Sequence, residues 1–225
     1  MIEELNRIIK DDCLNVMKQI PDKYFDLCLT DPPYGINVSK TVYNVKPNEK
    51  RGKNSKALSG DYKTADWDMT PPPVEYFKEI RRISKNQIIF GGNYFAEFLG
   101  NSPCWLFWDK MNGTNDFADG ELAWTSFKSA VRKYEFLWKG MLQQNMKNKE
   151  KRIHPTQKPV GLFSMILRDY SKEGDKIFDP FSGSGTTAIA CHRGKRQFLC
   201  VEKDEVYFKK SVERLEEERK QMILL

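Results

Sequence analysis

The sequence predicts an α/β domain built on parallel strands, and three observations carry the prediction. Leu5 to Leu29 reads as a strand–helix–strand unit. Lys176 to Val201 reads as a second such unit, with a glycine loop between its first strand and its helix. Both units place an acid where a strand ends, Asp31 in the first and Asp179 in the second. Strands alternating with helices imply crossover connections, and crossovers make neighbouring strands parallel. At 225 residues the chain suits one domain, 1–225, with a substantial core.

The elements follow in order. Leu5 to Ile9 is a short strand candidate ending at Asp11-Asp12-Cys13. Leu14 to Ile20 has an amphipathic helical pattern that Pro21-Asp22 stops. The apolar run Tyr24 to Leu29 reads as a buried strand and delivers Thr30-Asp31-Pro32-Pro33-Tyr34-Gly35 to its carboxyl end. Residues 37–70 are polar and basic without a sustained period, and a loop of this length is expected to be functional, closing over DNA or substrate. Pro71-Pro72-Pro73 introduces a helix over Val74 to Ser84, with Val74, Phe77, Ile80 and Ile83 at helical spacing. Gln87 to Phe90 is a strand, Tyr94 to Leu99 a short helix, and Cys104 to Trp108 another strand. Glu121 to Phe127 and Arg132 to Trp138 are β-prone and are expected to pair as an antiparallel hairpin at the sheet edge. Trp105, Trp108, Trp124 and Trp138 are assigned to packing. Val160 to Tyr170 is an apolar-faced helix, Ala188 to Arg193 a further helix, and Gln197 to Val201 the last assigned strand.

Composition narrows the function. No apolar run approaches the ~20 residues of a membrane helix. The start has no basic region followed by an apolar one, so the expected compartment is the cytoplasm. Five cysteines without C-x-x-C spacing and two histidines make a metal site unexpected. The net charge of +6 is concentrated: residues 40–63 and 139–158 each carry +5, which leaves −4 for the rest. Lys50, Arg51, Lys53 and Lys56 in the first stretch are candidate contacts to a phosphate backbone, as are Lys147, Lys149, Lys151 and Arg152 in the second.

The motif after the second strand suggests the chemistry. In open α/β sheets, ligands bind beyond the carboxyl ends of the strands. Asp31 is a fixed acceptor. Pro32 and Pro33 remove two backbone donors and leave carbonyls free to accept. Tyr34 adds a flat ring. This set suits a planar group bearing an amine. An exocyclic base amine is a poor nucleophile, because its lone pair is delocalised into the ring. Asp31 and the Pro32 carbonyl, each accepting one N–H, would localise that pair, and Tyr34 would stack on an extruded base.

The second motif suggests a cofactor. Asp179-Pro180-Phe181-Ser182-Gly183-Ser184-Gly185-Thr186 follows a strand, and Glu202 stands 19 residues after Gly183 at the end of the next. A glycine loop admits close backbone approach, and an acid at this distance can hold ribose hydroxyls. The loop lacks the lysine of a phosphate-cradling loop. The acid at Asp179 favours a cationic ligand over a pyrophosphate, so S-adenosylmethionine fits better than a nicotinamide dinucleotide.

Asp31-Pro32-Pro33-Tyr34 and Phe178 to Thr186 together resemble the motifs of amino-methylating DNA methyltransferases. With the catalytic motif preceding the cofactor loop, the order resembles their beta group, of the adenine-specific DPPY type. His154-Pro155-Thr156-Gln157-Lys158-Pro159 and Asp12-Cys13-Leu14 are similar to further family motifs. The resemblance implies a Rossmann-like methyltransferase fold: a mostly parallel seven-stranded sheet, helices on both faces and one antiparallel strand near an edge. Asp31, Pro32, Pro33 and Tyr34 would form the catalytic motif. Phe181, Gly183, Gly185 and Thr186 would shape the pocket for the methionine part of S-adenosylmethionine, with Asp179 near its amino group and Lys158 near its carboxylate. Asp12 and Cys13 would meet the adenine, and Glu202 the ribose. The product would be S-adenosylhomocysteine, the partner double-stranded DNA, and residues 139–153 a short target-recognition segment. A homodimer and a cognate restriction enzyme are further expected partners; a membrane is not. Methylation of a cytosine amine, an RNA adenine substrate and a non-catalytic DNA-binding protein stand as alternatives. Carbon-5 methylation, which needs a cysteine after a proline, is disfavoured on the expectation that no such pair is present.

Overall fold

The parallel order follows from which strands can bury both faces. The computed structural model describes residues 4–36, 68–113, 118–139 and 142–223. Its main sheet contains β1 (Arg7–Lys10), β2 (Phe25–Thr30), β3 (Ser84–Phe90), β4 (Trp105–Asp109), β5 (Gly120–Thr125), β6 (Arg132–Glu135), β9 (Lys176–Asp179) and β10 (Gln197–Glu202). A separate two-stranded ribbon pairs β7 (Trp138–Lys139) with β8 (Leu142–Gln143). The spatial order of the main sheet is β1-β10-β9-β2-β3-β5-β4-β6. Strands β9, β2 and β3 lie centrally, and their fully buried positions include the apolar Ile177, Phe178, Leu27, Cys28, Leu29, Ile88, Ile89 and Phe90.

Two expectations are corrected. Among the described residues the main sheet has eight strands where seven were expected, and its antiparallel strand, β5, lies third from the edge. β5 and β6 form no hairpin: β5 pairs antiparallel with β4, and β6 pairs parallel with the other side of β4. The local pattern marked both segments as strands correctly. It could not show that β4 comes between them.

Helices cover both faces. α1 (Cys13–Met17), α2 (Val74–Ile83) and α3 (Ala96–Leu99) lie on one side, where Val16, Phe77, Ile80 and Ile83 pack against Phe25, Cys28 and Ile89. α4 (Val160–Tyr170), α5 (Thr186–Arg193) and α6 (Glu205–Ile223) lie on the other, where Phe163, Ile166, Ile189 and Leu215 pack against Leu27, Leu29 and Ile88. Burying each such side chain contributes roughly 1.5–3 kcal/mol, so α2 is held mainly by Phe77, Ile80 and Ile83. All five cysteines are buried and free. Among the described residues no helix is long and apolar enough to cross a membrane.

β2 and β9 are adjacent and parallel, with Leu27 opposite Ile177 and Cys28 opposite Phe178. From β2 the chain crosses to β3 on one side, and from β9 it crosses to β10 on the other. Between β2 and β9 lies the point where the winding reverses, and there the connections diverge and leave a crevice.

Candidate active site

β2 delivers Asp31 to this crevice, and the two prolines end the strand there. The Asp31 carboxylate is held from two directions. Its Oδ1 accepts the Tyr34 hydroxyl at 2.6 Å, and its Oδ2 accepts Lys158 Nζ at 2.6 Å. Tyr34 is fixed by close backbone approach: a Cβ on Gly91 would come within 2.1 Å of the Tyr34 ring. Gly91 also has a φ of 66°, so two separate constraints require glycine. Tyr34 stacks on Tyr94 at 4.9 Å between ring centroids.

A second carboxylate shares these donors. Glu121, near the start of β5, accepts Lys158 Nζ at 3.0 Å, the Tyr34 hydroxyl at 3.2 Å and Lys110 Nζ at 2.6 Å. Burial pushes the Asp31 carboxyl up; Lys158 pulls it down, Glu121 pushes it up, and the net direction is upward. Burial also pushes Glu121 up, but the charges of Lys158 and Lys110 outweigh it and hold that carboxyl at about 2. Burial disfavours the charged Lys158, yet Asp31 and Glu121 raise it above the ordinary lysine value. Of the two carboxylates, Asp31 is the more basic.

β9 delivers the other half. Asp179 is buried and accepts the Thr30 hydroxyl at 2.7 Å, the Thr187 hydroxyl at 2.5 Å and the Phe181 backbone N–H at 3.1 Å. Thr30 belongs to β2 and Thr187 to α5, so Asp179 fastens both strands and the next helix to one point. Burial raises its carboxyl to about 6. Glu202, at the end of β10, accepts the Gly183 N–H at 2.7 Å and the Asp204 N–H at 2.8 Å, and burial raises it to about 7. Gly185 caps α5 with a φ of 75°, and a Cβ there would meet Ile8 and Ser211 at 3.2 Å. Thr186 donates its hydroxyl to the Lys158 carbonyl at 2.9 Å, which ties the glycine loop to the Asp31 cluster.

Both halves open into one cleft of about 940 Å³. The cleft brings together Asp12, Cys13, Asp31, Pro32, Pro33, Tyr34, Lys158, Asp179, Phe181, Gly183, Thr186 and Glu202, with Gly185 immediately behind at the α5 cap. Asp12 caps α1 through the Leu14 N–H at 3.0 Å and accepts from the Tyr76 hydroxyl and Lys203. Burial raises its carboxyl, but these hydrogen bonds outweigh it and hold the group low. Lys158 directs its ammonium to Asp31 and Glu121.

Of the basic candidates, Lys50, Arg51, Lys53 and Lys56 lie outside the described residues. Lys147, Lys149 and Lys151 are exposed, and Arg152 lies over the Trp138 ring at 4.7 Å and lines the cleft. The segment carrying them is built: Gln143 clasps both the N–H and the carbonyl of Glu150, at 2.7 and 2.9 Å. Cys104 does follow Pro103, so the disfavoured carbon-5 chemistry needs a different reason. Cys104 is buried with its sulfur against Ser129 and Tyr170, away from the cleft.

Sequence reasoning missed Glu121, Lys110, Thr30 and Thr187. Glu121 carries one sequence signal, a charge opening an otherwise apolar strand. Among the described residues no group of three or more His, Cys, Asp or Glu side chains is placed to hold a metal ion.

The proline motif and the glycine loop on adjacent strands of this sheet give the chain a Rossmann-like methyltransferase fold. Residues 109–213 match the N6_N4_Mtase family, described as DNA methylase. The type II methyltransferase M.HinfI of Haemophilus influenzae is 26% identical over 261 aligned residues, covering 95% of this chain and 69% of its own. Two solved structures share the fold: the M1.HpyAVI–SAM complex and the cytosine-N4-specific PvuII DNA methyltransferase. The first has a TM-score of 0.54 at 21% identity and covers 93% of this chain and 98% of its own. The second has a TM-score of 0.58 at 14% identity and covers 96% and 91%. Over these comparisons the chain is similar to the amino-methylating DNA methyltransferases of the N6/N4 type.

Proposed function

We propose that the chain is a site-specific DNA adenine methyltransferase that uses S-adenosylmethionine and releases S-adenosylhomocysteine. The observation that supports this most is the single cleft shared by Asp31 and the glycine loop at neighbouring strand ends. The residues present fit the cofactor. Asp12, Asp179 and Glu202 give one wall an acidic character that suits a cationic ligand. At Gly183 even a Cβ would meet nothing nearer than the His154 ring at 3.9 Å, so the loop leaves room. A related fold was solved as a SAM complex.

When bound, the cofactor supplies an electrophilic methyl group. The chain's own residues do the rest. Glu202 takes the ribose hydroxyls, and Asp12 and Cys13 border the adenine. Phe181, Gly183, Gly185 and Thr186 surround the methionine part, with Asp179 holding their loop in shape. Asp31 and the Pro32 carbonyl accept the target N–H groups, and the ring of Tyr34 steadies the base. As nitrogen takes the methyl it must lose a proton, and Asp31 is the basic carboxylate beside it. Positioning and preorganised charge supply the catalysis. Lys147, Lys149, Lys151 and Arg152, with Lys50, Arg51, Lys53 and Lys56, hold the duplex backbone. The motif order supports the beta group, and the likeness to a type II methyltransferase supports a restriction partner. A homodimer would add DNA contacts to the short 139–153 segment.

Methyl transfer from labelled S-adenosylmethionine to unmethylated genomic DNA, followed by nucleoside analysis, tests this. Label in 6-methyladenine is the expected result. The acceptor set would equally serve a cytosine amine, and one structural neighbour is cytosine-N4-specific. Label in 4-methylcytosine would overturn the base assignment and keep the mechanism. No label in DNA, with transfer to RNA, would overturn the substrate.

A further inference from the structure

Glu121 stands across from Asp31 and competes for the same two donors. The Tyr34 hydroxyl lies 2.6 Å from Asp31 and 3.2 Å from Glu121. Lys158 Nζ lies 2.6 Å from Asp31 and 3.0 Å from Glu121. Both donors favour Asp31, and both are already within reach of the alternative. Lys110 holds the far oxygen of Glu121 at 2.6 Å, so the second acceptor is anchored. A carboxylate offers about four acceptor positions. An incoming amine must take one of those left on Asp31 while a cation and a hydroxyl crowd it.

We propose that Glu121 is a positioning residue for methyl transfer, taking over the Lys158 ammonium and the Tyr34 hydroxyl as the target amine settles on Asp31. The inference rests on Asp31 being the acceptor of that amine. The charges favour the exchange. Two carboxylates and two ammonium groups make the cluster neutral. Moving Lys158 toward Glu121 uncovers negative charge on Asp31 as the amine nitrogen becomes positive. The balance is complete within the site: the nitrogen lone pair forms the N–C bond, the C–S bonding pair goes to sulfur, and the nitrogen proton passes to Asp31. Asp31 accepts that proton more readily the weaker the hold of Lys158. No other residue in the cluster could play this part, because Lys110 and Lys158 are donors and the Asp179 carboxylate is occupied by Thr30, Thr187 and Phe181.

The charged and titratable groups facing Asp31 are Lys158 before α4, Glu121 on β5, Lys110 after β4, Asp179 on β9 and Tyr34 on its own loop. Glu121 raises the Asp31 carboxyl through its charge. Glu121→Gln keeps the shape and removes that charge, and Lys110→Gln removes a cation on the opposite side. Single-turnover methylation of duplex DNA is measured against pH for both variants, with cofactor Kd measured separately. Glu121→Gln is expected to slow transfer about tenfold and to move the acid limb to lower pH, with cofactor Kd unchanged. Lys110→Gln is expected to move the limb the other way, because Glu121 then draws Lys158 more strongly from Asp31. Loss of rate in Glu121→Gln with an unmoved limb, or a loss that follows cofactor Kd, overturns the proposal. If Glu121→Gln does not fold, Lys110→Gln decides by its limb alone. A wild-type protein that methylates no nucleic acid overturns the functional reading and this inference with it. Wild-type methylation with both limbs unmoved overturns the inference alone.

Discussion

Lys158→Met tests how the charge cluster is held together. Lys158 is 6% exposed and contacts Asp31 at 2.6 Å, as closely as the Tyr34 hydroxyl does. Methionine has nearly the same length and fills the space, so packing changes little. The charge balance changes greatly, because Asp31 and Glu121 are left facing each other across their lost cation. Breaking a buried pair by removing one partner costs about 3–5 kcal/mol, against a total stability of about 5–15 kcal/mol. With a urea slope of about 2–3 kcal/mol per molar, the midpoint should fall by about 1–2.5 M.

The loss should depend on pH with a definite sign. Burial already raises Asp31 above its unfolded value, and removing Lys158 raises it further. A carboxyl raised on folding contributes stability below its unfolded pKa and loses it as pH rises through the folded value. The deficit relative to wild type should therefore be large at pH 8 and smaller at pH 5, where Asp31 takes up a proton. Urea melts of both proteins at the two pH values measure it. Adding Glu121→Gln should recover part of the loss at pH 8. An unchanged midpoint at pH 8, or an equal deficit at both, would refute the reasoning.

Four further outcomes are expected. If Asp31 accepts the target amine as proposed, Asp31→Ala should abolish methyl transfer while leaving cofactor affinity within about threefold; calorimetry and a filter assay separate the two. Glu202→Gln should flatten the pH dependence of stability, because a carboxyl raised from 4.5 to about 7 loses its contribution between those values as pH rises, up to about 3 kcal/mol. Gly91→Ala should cost about 1–3 kcal/mol in denaturant melts, since it strains a positive φ and drives a methyl into Tyr34. Charge reversal at Lys147, Lys149 and Lys151 should weaken DNA binding and reduce its salt slope by about 3, measured by anisotropy across salt.

The site was legible in the sequence wherever local chemistry carries it. A proline pair after an apolar run, and glycines between a strand and a helix followed by an acid, announce themselves without tertiary information. Partners were not legible. Lys158 lies in a recognisable motif, yet its ammonium goes to two carboxylates on distant strands, which only the sheet brings together. β5 read correctly as a strand, but its position between β3 and β4 depends on which neighbour buries its apolar face. α6 was missed because Glu205 to Ile223 is dense in charge, and its inward positions, Tyr207, Ser211 and Leu215, are few.

The fastening at Asp179 also governs when the protein can come into being. Its hydrogen bond to Thr30 spans 149 residues, and the backbone N–H of Lys176 reaches the Asp26 carboxylate across 150. β1 pairs with β10, which follows it by 192 residues (199 − 7). A nascent chain therefore emerges from the ribosome with Asp31 in place and nothing to hold it there. Closing loops of this length precedes any gain from the contacts they make, which slows folding. The half that carries Asp31 must wait for β9 and β10, and a fragment ending before β9 should be unable to assemble it.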